Sequence, residues 1–336
     1  MRQNMRAWVD EMIRIKQKKA LPVLSFPGTV LLGKTVREVI SDSDLYAKGL
    51  QLVAERVPMA AAVSFMDLSV EAECFGSQIR TSDYEVPTVV GHILEEEEDA
   101  DALAIPAIGS KRTGITIEAV RKAAQLITDR PVFAGIIGPF SLAGRLTGVS
   151  EAMILCMEEP DMIHTVMKKT TAFLIEYCKA FKAAGASGVV MAEPLTGILS
   201  PALAEEFSEP YCRQITEAIQ DDTFLMIYHN CGGAVPKMLD SILSVGAAAY
   251  HFGNAVSMKE ILEKTPDNVL VLGNVDPSGE FRSGTPESVR AAARAVLNDC
   301  GTFPNFVLSS GCDIPPAAPW ENIDAFFAAA AEYYGQ

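Results

Sequence analysis

Short apolar runs alternate with longer stretches in which apolar residues return every three to four positions, and this alternation sets the expected architecture. Candidate strands fall at residues 60–67, 102–107, 131–138, 187–193, 224–229, 247–252, 268–274 and 305–311. They are apolar throughout rather than on alternate positions, as parallel strands covered by helices on both faces should be. An earlier run, 21–27, reads as an additional strand outside the main set. The intervening stretches carry helix signals. Residues 157–185 keep helical spacing and close on Gly185. One helix opens on Ser200 with Pro201 next, and another opens on Thr285, carries Glu287 in its first turn and ends on Gly301. Eight strands, each followed by a helix, predict an α/β fold, a (β/α)8 TIM barrel. The expected organisation is a single domain, with the barrel over 59–336 and an N-terminal helical extension over 1–58. No glycine-rich phosphate loop follows the first strand, which counts against a dinucleotide-binding sheet.

The polar residues fall where the strands stop. Asp67, Glu193, His229 with Cys231, His251 with Asn254, Asn274 with Asp276, and Cys312 with Asp313 all follow apolar runs. In such barrels the strands' C-terminal ends converge on the active site. The same pattern therefore predicts both the fold and a polar pocket.

Within that set, His229-Asn230-Cys231 carries the most chemistry. An extended chain points residues i and i+2 to one side, so this imidazole and thiol can face a common point. Cys312, at the end of another strand, supplies a second sulfur. One nitrogen and two sulfurs suit zinc, and three protein ligands leave a fourth position open for a substrate. The bland alternative is a hydrogen-bonded core histidine beside buried thiols. Gly232 and Gly311 are expected to let the backbone turn beside the ligands. Glu193 is a candidate fourth ligand or general base, and Asp67 a second candidate; a helix-capping or salt-bridged carboxylate is the competing reading for each. His251, Asn254, Asn274, Asp276 and Asp313 are candidates to line the pocket and touch a cofactor, although His251 also fits a buried backbone-bonded histidine and Asp276 a turn. His92 and His164 fall outside the strand-end set and read as structural or exposed.

Composition narrows the partners. A formal net charge of −15 argues against nucleic acid or an anionic membrane, both of which are bound through basic patches. No apolar run approaches the ~18 residues of a membrane span. The basic first residues lack the unbroken apolar core of a signal peptide and read instead as an amphipathic helix with Trp8, Met12 and Ile15. Seven cysteines, an odd number, do not suggest a disulfide framework, so reduced thiols in a cytoplasm are expected.

Over nearly its whole length the chain resembles the superfamily of uroporphyrinogen decarboxylases and cobalamin-dependent methyltransferases. The resemblance is carried by FAGIIGPFSLAGRL (133–146), GASGVVMAEPLTGILSPALAEEFSEPY (185–211), IYHNCGG (227–233), LGNVDP (272–277) and SSGCDIPPAAPWENIDAF (309–326). It implies a (β/α)8 barrel. The decarboxylase branch grips porphyrin carboxylates with an arginine-rich segment, where this chain reads KALPVLSFPG without arginine. The branch of methylcobamide:coenzyme M methyltransferases is marked by a His-x-Cys…Cys zinc set, matched here by His229, Cys231 and Cys312. The chain departs from that branch at His251-Phe252-Gly253-Asn254, where acidic residues are expected, and this leaves the fourth ligand and the acceptor open. The resemblance implies zinc, a methyl-corrinoid co-substrate on a separate small corrinoid protein, a small-molecule thiol acceptor and a homodimer of the kind such barrels form. Two competing readings stay open: a metal-independent decarboxylase using Asp67, and a non-catalytic corrinoid- or metal-binding accessory barrel.

Overall fold

A computed structural model describes residues 3–335. Among the described residues nine strands form: β1 (Ala62–Val63), β2 (Gln78–Arg80), β3 (Thr88–Val90), β4 (Val132–Ile137), β5 (Gly188–Ala192), β6 (Leu225–Asn230), β7 (Ala249–Phe252), β8 (Leu270–Val275) and β9 (Phe306–Ser310). Seven of them make one parallel sheet in the order β1-β4-β5-β6-β7-β8-β9, while β2 and β3 pair as a separate antiparallel hairpin. Neighbours in the sheet are therefore consecutive, each crossover carrying helix, as the alternating pattern requires.

Strand parity defines two faces. Val63, Phe133, Val190, Ala192, Leu225, Ile227, Ala249, Leu270, Leu272 and Val307 share one interior cluster. The intervening residues, among them Val189, Met191, Met226, Tyr228, Tyr250, Val271 and Leu308, pack outward against the helices. The amphipathic helix Met5–Arg14 closes one end of the interior: Met5, Trp8, Val9 and Met12 join that cluster, and Trp8 lies 5.8 Å from the Phe133 ring. Its first amide bonds Asp222 O, just ahead of β6, so the plug sits at the strands' N-terminal ends. Ile15 follows the helix and is exposed.

Two expectations need correction. Residues 102–107 form no strand: the helix Glu97–Ala102 runs into them, Ile105 is 49% exposed, and Pro106 has no N–H for a ladder. Apolar composition there is not matched by burial. The run expected outside the main set, 21–27, instead bridges the sheet's two edges. Ala60 N donates to Ala20 O (3.0 Å), Leu21 N to Leu308 O (2.9 Å), and Val23 N to Ser310 Oγ (3.0 Å). Pro22 interrupts any regular ladder, so this run bonds both edges without becoming a strand. The result is a curled seven-stranded sheet with an irregular bridge in place of an eighth strand.

The helix termini follow their sequence signals. Ser200 accepts from Leu203 N, Thr285 from Ser288 N, and Gly185 ends the helix Pro160–Ala184 at φ 102°. Among the described residues no single helix is long and apolar enough to cross a membrane.

Candidate metal centre

β6 and β9 deliver the site. His229 lies in register with Ala192 and with His251, which places all three on the interior face at the strands' C-terminal ends. Cys231 follows β6 and keeps the parity of His229, and Cys312 lies two residues beyond β9. The His229 ring nitrogen and the two Sγ atoms all lie within 4.8 Å of one another, with His229 Nε2 to Cys312 Sγ at 3.4 Å. Tetrahedral zinc with bonds of about 2.0–2.3 Å sets its ligand atoms roughly 3.5–3.8 Å apart. The trio could thus close on such an ion with side-chain shifts of up to about 1 Å. His229 is buried and both cysteines are half-buried, which leaves the sulfur side open to an incoming molecule.

The two thiols are unequal. A hydrogen bond to Cys312, with burial second, pushes the Cys231 thiol up to about 12. The same bond lowers Cys312. Cys231 is therefore the donor and Cys312 the sulfur that gives up its proton first.

Behind the trio runs a chain of hydrogen bonds. His229 Nδ1 lies 2.7 Å from His251 Nδ1 and 3.2 Å from His251 O. His251 Nε2 lies 2.7 Å from Ser309 Oγ, which donates to Leu21 O at 2.7 Å. Burial, with the neighbouring His229 second, holds His251 well below the usual histidine range, so it is neutral.

The remaining strand-end residues separate by parity and partner. Glu193 follows Ala192 and so points to the opposite, helix-facing side. Its carboxylate accepts from Phe140 N (2.9 Å), Ser141 N (2.6 Å) and the Ser141 hydroxyl, capping the helix Pro139–Thr147. Burial pushes Glu193 up to about 7 against those bonds. Asp67 is ion-paired with Arg112 and accepts from Ser69 N (3.1 Å) and Oγ (2.5 Å). Asn274 Nδ2 braces the turn after β7 through Gly253 O and Val256 O, both at 2.9 Å. Asp276 caps the turn after β8 by accepting from Ser278 N and Gly279 N. Asp313 adjoins Cys312; burial, with the Asp67 charge second, raises its carboxyl well above the usual range, and its Oδ1 has no partner among the described residues.

Asn254 is exposed against Gly311, where a Cβ would come 2.6 Å from Asn254 Oδ1. Gly232 likewise abuts the Gly197 backbone. Neither glycine has positive φ, so close approach rather than turning is what these positions require. His92 is an exposed partner of Glu95, and His164 bonds the Tyr211 hydroxyl at 2.7 Å, both away from the trio.

Sequence reasoning passed over Ser309 and Leu21. Ser309 stands in the quoted SSGCD run, on the interior parity of Val307 and in register with Asn274, and that parity was the available signal.

The fold and site together define a parallel α/β sheet whose carboxyl ends bring one imidazole and two thiols together, a group that could hold a soft metal ion. The chain belongs to the uroporphyrinogen decarboxylase (URO-D) family, whose profile matches residues 21–333. It is 27% identical over 271 residues to the methylcobamide:CoM methyltransferase MtbA of Methanosarcina acetivorans, covering 80% of this chain and 78% of that protein. It is 26% identical over 319 residues to a uroporphyrinogen decarboxylase of Coxiella burnetii, covering 89% and 86%. In fold it matches a methyltransferase from Methanosarcina mazei with a TM-score of 0.86 at 23% identity, over 99% of both chains.

Proposed function

We propose that the protein is a zinc-dependent methyltransferase that moves a methyl group from a methyl-corrinoid to a thiol. The observation that carries this reading is the convergence of a His229 ring nitrogen, Cys231 Sγ and Cys312 Sγ within 4.8 Å at the strands' C-terminal ends. The similarity to a methylcobamide:CoM methyltransferase supports it. Bound zinc would lower the pKa of an acceptor thiol and keep its sulfur as a thiolate at neutral pH. The neutral imidazole and two thiolates of the chain would balance the ion's charge. A methyl-corrinoid would supply the methyl group as an electrophile and keep the electron pair of the broken bond, the acceptor sulfur would gain the methyl, and the thiol proton would pass to solvent. The chain's contribution is position: His229 and the two cysteines fix the acceptor, and the half-buried mouth receives the corrinoid face. The corrinoid comes on a separate small protein.

Glu193 and Asp67 take no part in proton transfer in this reading, because their oxygens are already engaged by a helix terminus and an arginine. Asn254 and Asp313 flank Cys312 and form the rim next to the acceptor. Asn274 and Asp276 hold the turns that carry that rim.

Metal content of wild type beside Cys312→Ala, followed by methyl transfer from methylcobalamin to a panel of thiols, tests the proposal. About one zinc per chain, lost in the variant together with transfer, is expected. Transfer at full rate without zinc would refute it, and a metal-free protein that decarboxylates a carboxylated tetrapyrrole would place it with the decarboxylases.

A further inference from the structure

We propose that His251, Ser309 and the Leu21 carbonyl form a relay that fixes His229 as the Nδ1–H tautomer, so that Nε2 offers its lone pair to the cysteine side. The relay's purpose rests on the metal reading above; its existence does not.

The direction of each bond follows from the one before it. A serine hydroxyl has a single hydrogen, and Ser309 gives it to Leu21 O. Ser309 Oγ can then only accept from His251 Nε2, so a ring hydrogen of His251 sits on Nε2. The carbonyl of His251, 3.2 Å from His229 Nδ1, can only accept, so that nitrogen carries a hydrogen. His251 Nδ1, 2.7 Å from the same nitrogen, then faces it with a lone pair. In a neutral His229 ring the opposite nitrogen keeps its lone pair, and it is the one 3.4 Å from Cys312 Sγ.

Every member of the relay is sequestered, His229 and His251 at 2% and 1% exposure and Ser309 at 0%, so water does not compete for these bonds. Backbone geometry holds both histidines, since β6 and β7 pair them directly. The end of the relay is anchored outside the parallel sheet, on the run that bridges its edges. His251 is thus a positioning residue: it acts through His229. Outer partners of this kind typically change metal affinity about 10- to 100-fold.

The test uses the full chain labelled with 15N-histidine. In metal-free wild type, long-range proton–nitrogen correlations are expected to show His229 protonated at Nδ1 and His251 at Nε2. Zinc affinity is then measured by chelator competition, and the cobalt-substituted absorption spectrum recorded, for His251→Asn and His251→Leu. The asparagine oxygen can stand where Nδ1 stood and accept from His229, so His251→Asn should stay within a few-fold of wild type. His251→Leu should lose roughly ten-fold or more and show an altered cobalt spectrum. Ser309→Ala, a smaller change, should leave the fold intact and release the His251 tautomer. An Nε2–H tautomer on His229 in metal-free wild type, or equal losses in the Asn and Leu variants, overturns the proposal. A wild type that has the expected tautomers but binds no zinc overturns the metal reading and leaves the relay standing.

Discussion

Glu193 N donates to His229 O at 2.8 Å, yet the two side chains leave the sheet on opposite faces. His229 meets the cysteines in the interior, whereas Glu193 buries its carboxylate under the start of the helix Pro139–Thr147. Backbone contact between neighbouring strands is not side-chain proximity. Glu193→Ala should strand two buried backbone donors and cost about 2–4 kcal/mol. Zinc per folded chain should not change. Urea denaturation beside metal analysis decides it: a variant of native stability with less zinc would return Glu193 to the ligand set.

Asp67 yields a parallel prediction. Its ion pair with Arg112 is buried, and Arg112 also bonds Glu73 Oε2 at 2.6 Å. Removing one member of such a pair leaves an uncompensated charge, so Arg112→Met should destabilise by about 3–5 kcal/mol. Asp67→Asn should cost less and keep both zinc and methyl transfer. Loss of turnover at unchanged stability in Asp67→Asn would instead make this carboxylate a catalytic group.

Thiol reactivity reports on the trio directly. Five cysteines are buried, and only Cys231 and Cys312 are half-buried among the described residues. In native metal-free protein a small alkylating reagent should therefore modify two thiols quickly. Cys312 should react first, because its thiol is lowered while that of Cys231 is pushed up to about 12. Added zinc should protect both. Peptide mapping of the alkylated chain checks the order, and protection of neither would count against a shared metal.

Stability should also depend on pH through groups outside the site. Burial raises Glu71 to about 7 from an ordinary 4.5; one oxygen accepts from Ile137 N at 3.1 Å and the other has no partner among the described residues. Burial raises Glu209 to about 7 as well. Between pH 4.5 and 7 the folded chain holds protons that the unfolded chain has released. The associated stability is fully present below 4.5 and is lost as pH rises through 7, on the order of 3 kcal/mol for Glu71. Glu71→Gln should flatten the stability–pH curve over this window. Denaturation midpoints at pH 5, 6, 7 and 8 (about two below and two at or above the folded value) test the slope, and an unchanged slope in the variant would assign it elsewhere.

Much of this arrangement is legible in the sequence, for definite reasons. The runs at 131–138, 187–193, 224–229, 268–274 and 305–311 are apolar enough to be buried on both faces, and each overlaps a strand of the sheet, β6 and β8 running one residue further. His229 and Cys231 share a side because an extended chain repeats every two residues. The same wholly apolar composition hides which side is interior. In GVVMAE the residues before Glu193 are buried on both faces, so nothing in the string says that Glu193 leaves with Val189 and Met191 toward the helices. Residues 102–107 mislead for the opposite reason, since they are apolar but lie in an exposed connection. The bridging role of residues 20–23 depends on bonds to β9 and Ala60, which no local pattern encodes.

The hydroxyl of Ser309 and the carbonyl of Leu21 that receives it stand 288 residues apart in the chain. Loop-closure entropy disfavours such a contact until most intervening structure has formed. A growing polypeptide can present His229 and Cys231 early, but the support behind the imidazole is complete only after β9 has been made and has met the bridging run. Full ligand geometry is thereby tied to finished synthesis, and a truncated product ending before β9 would hold neither Cys312 nor the anchored histidine.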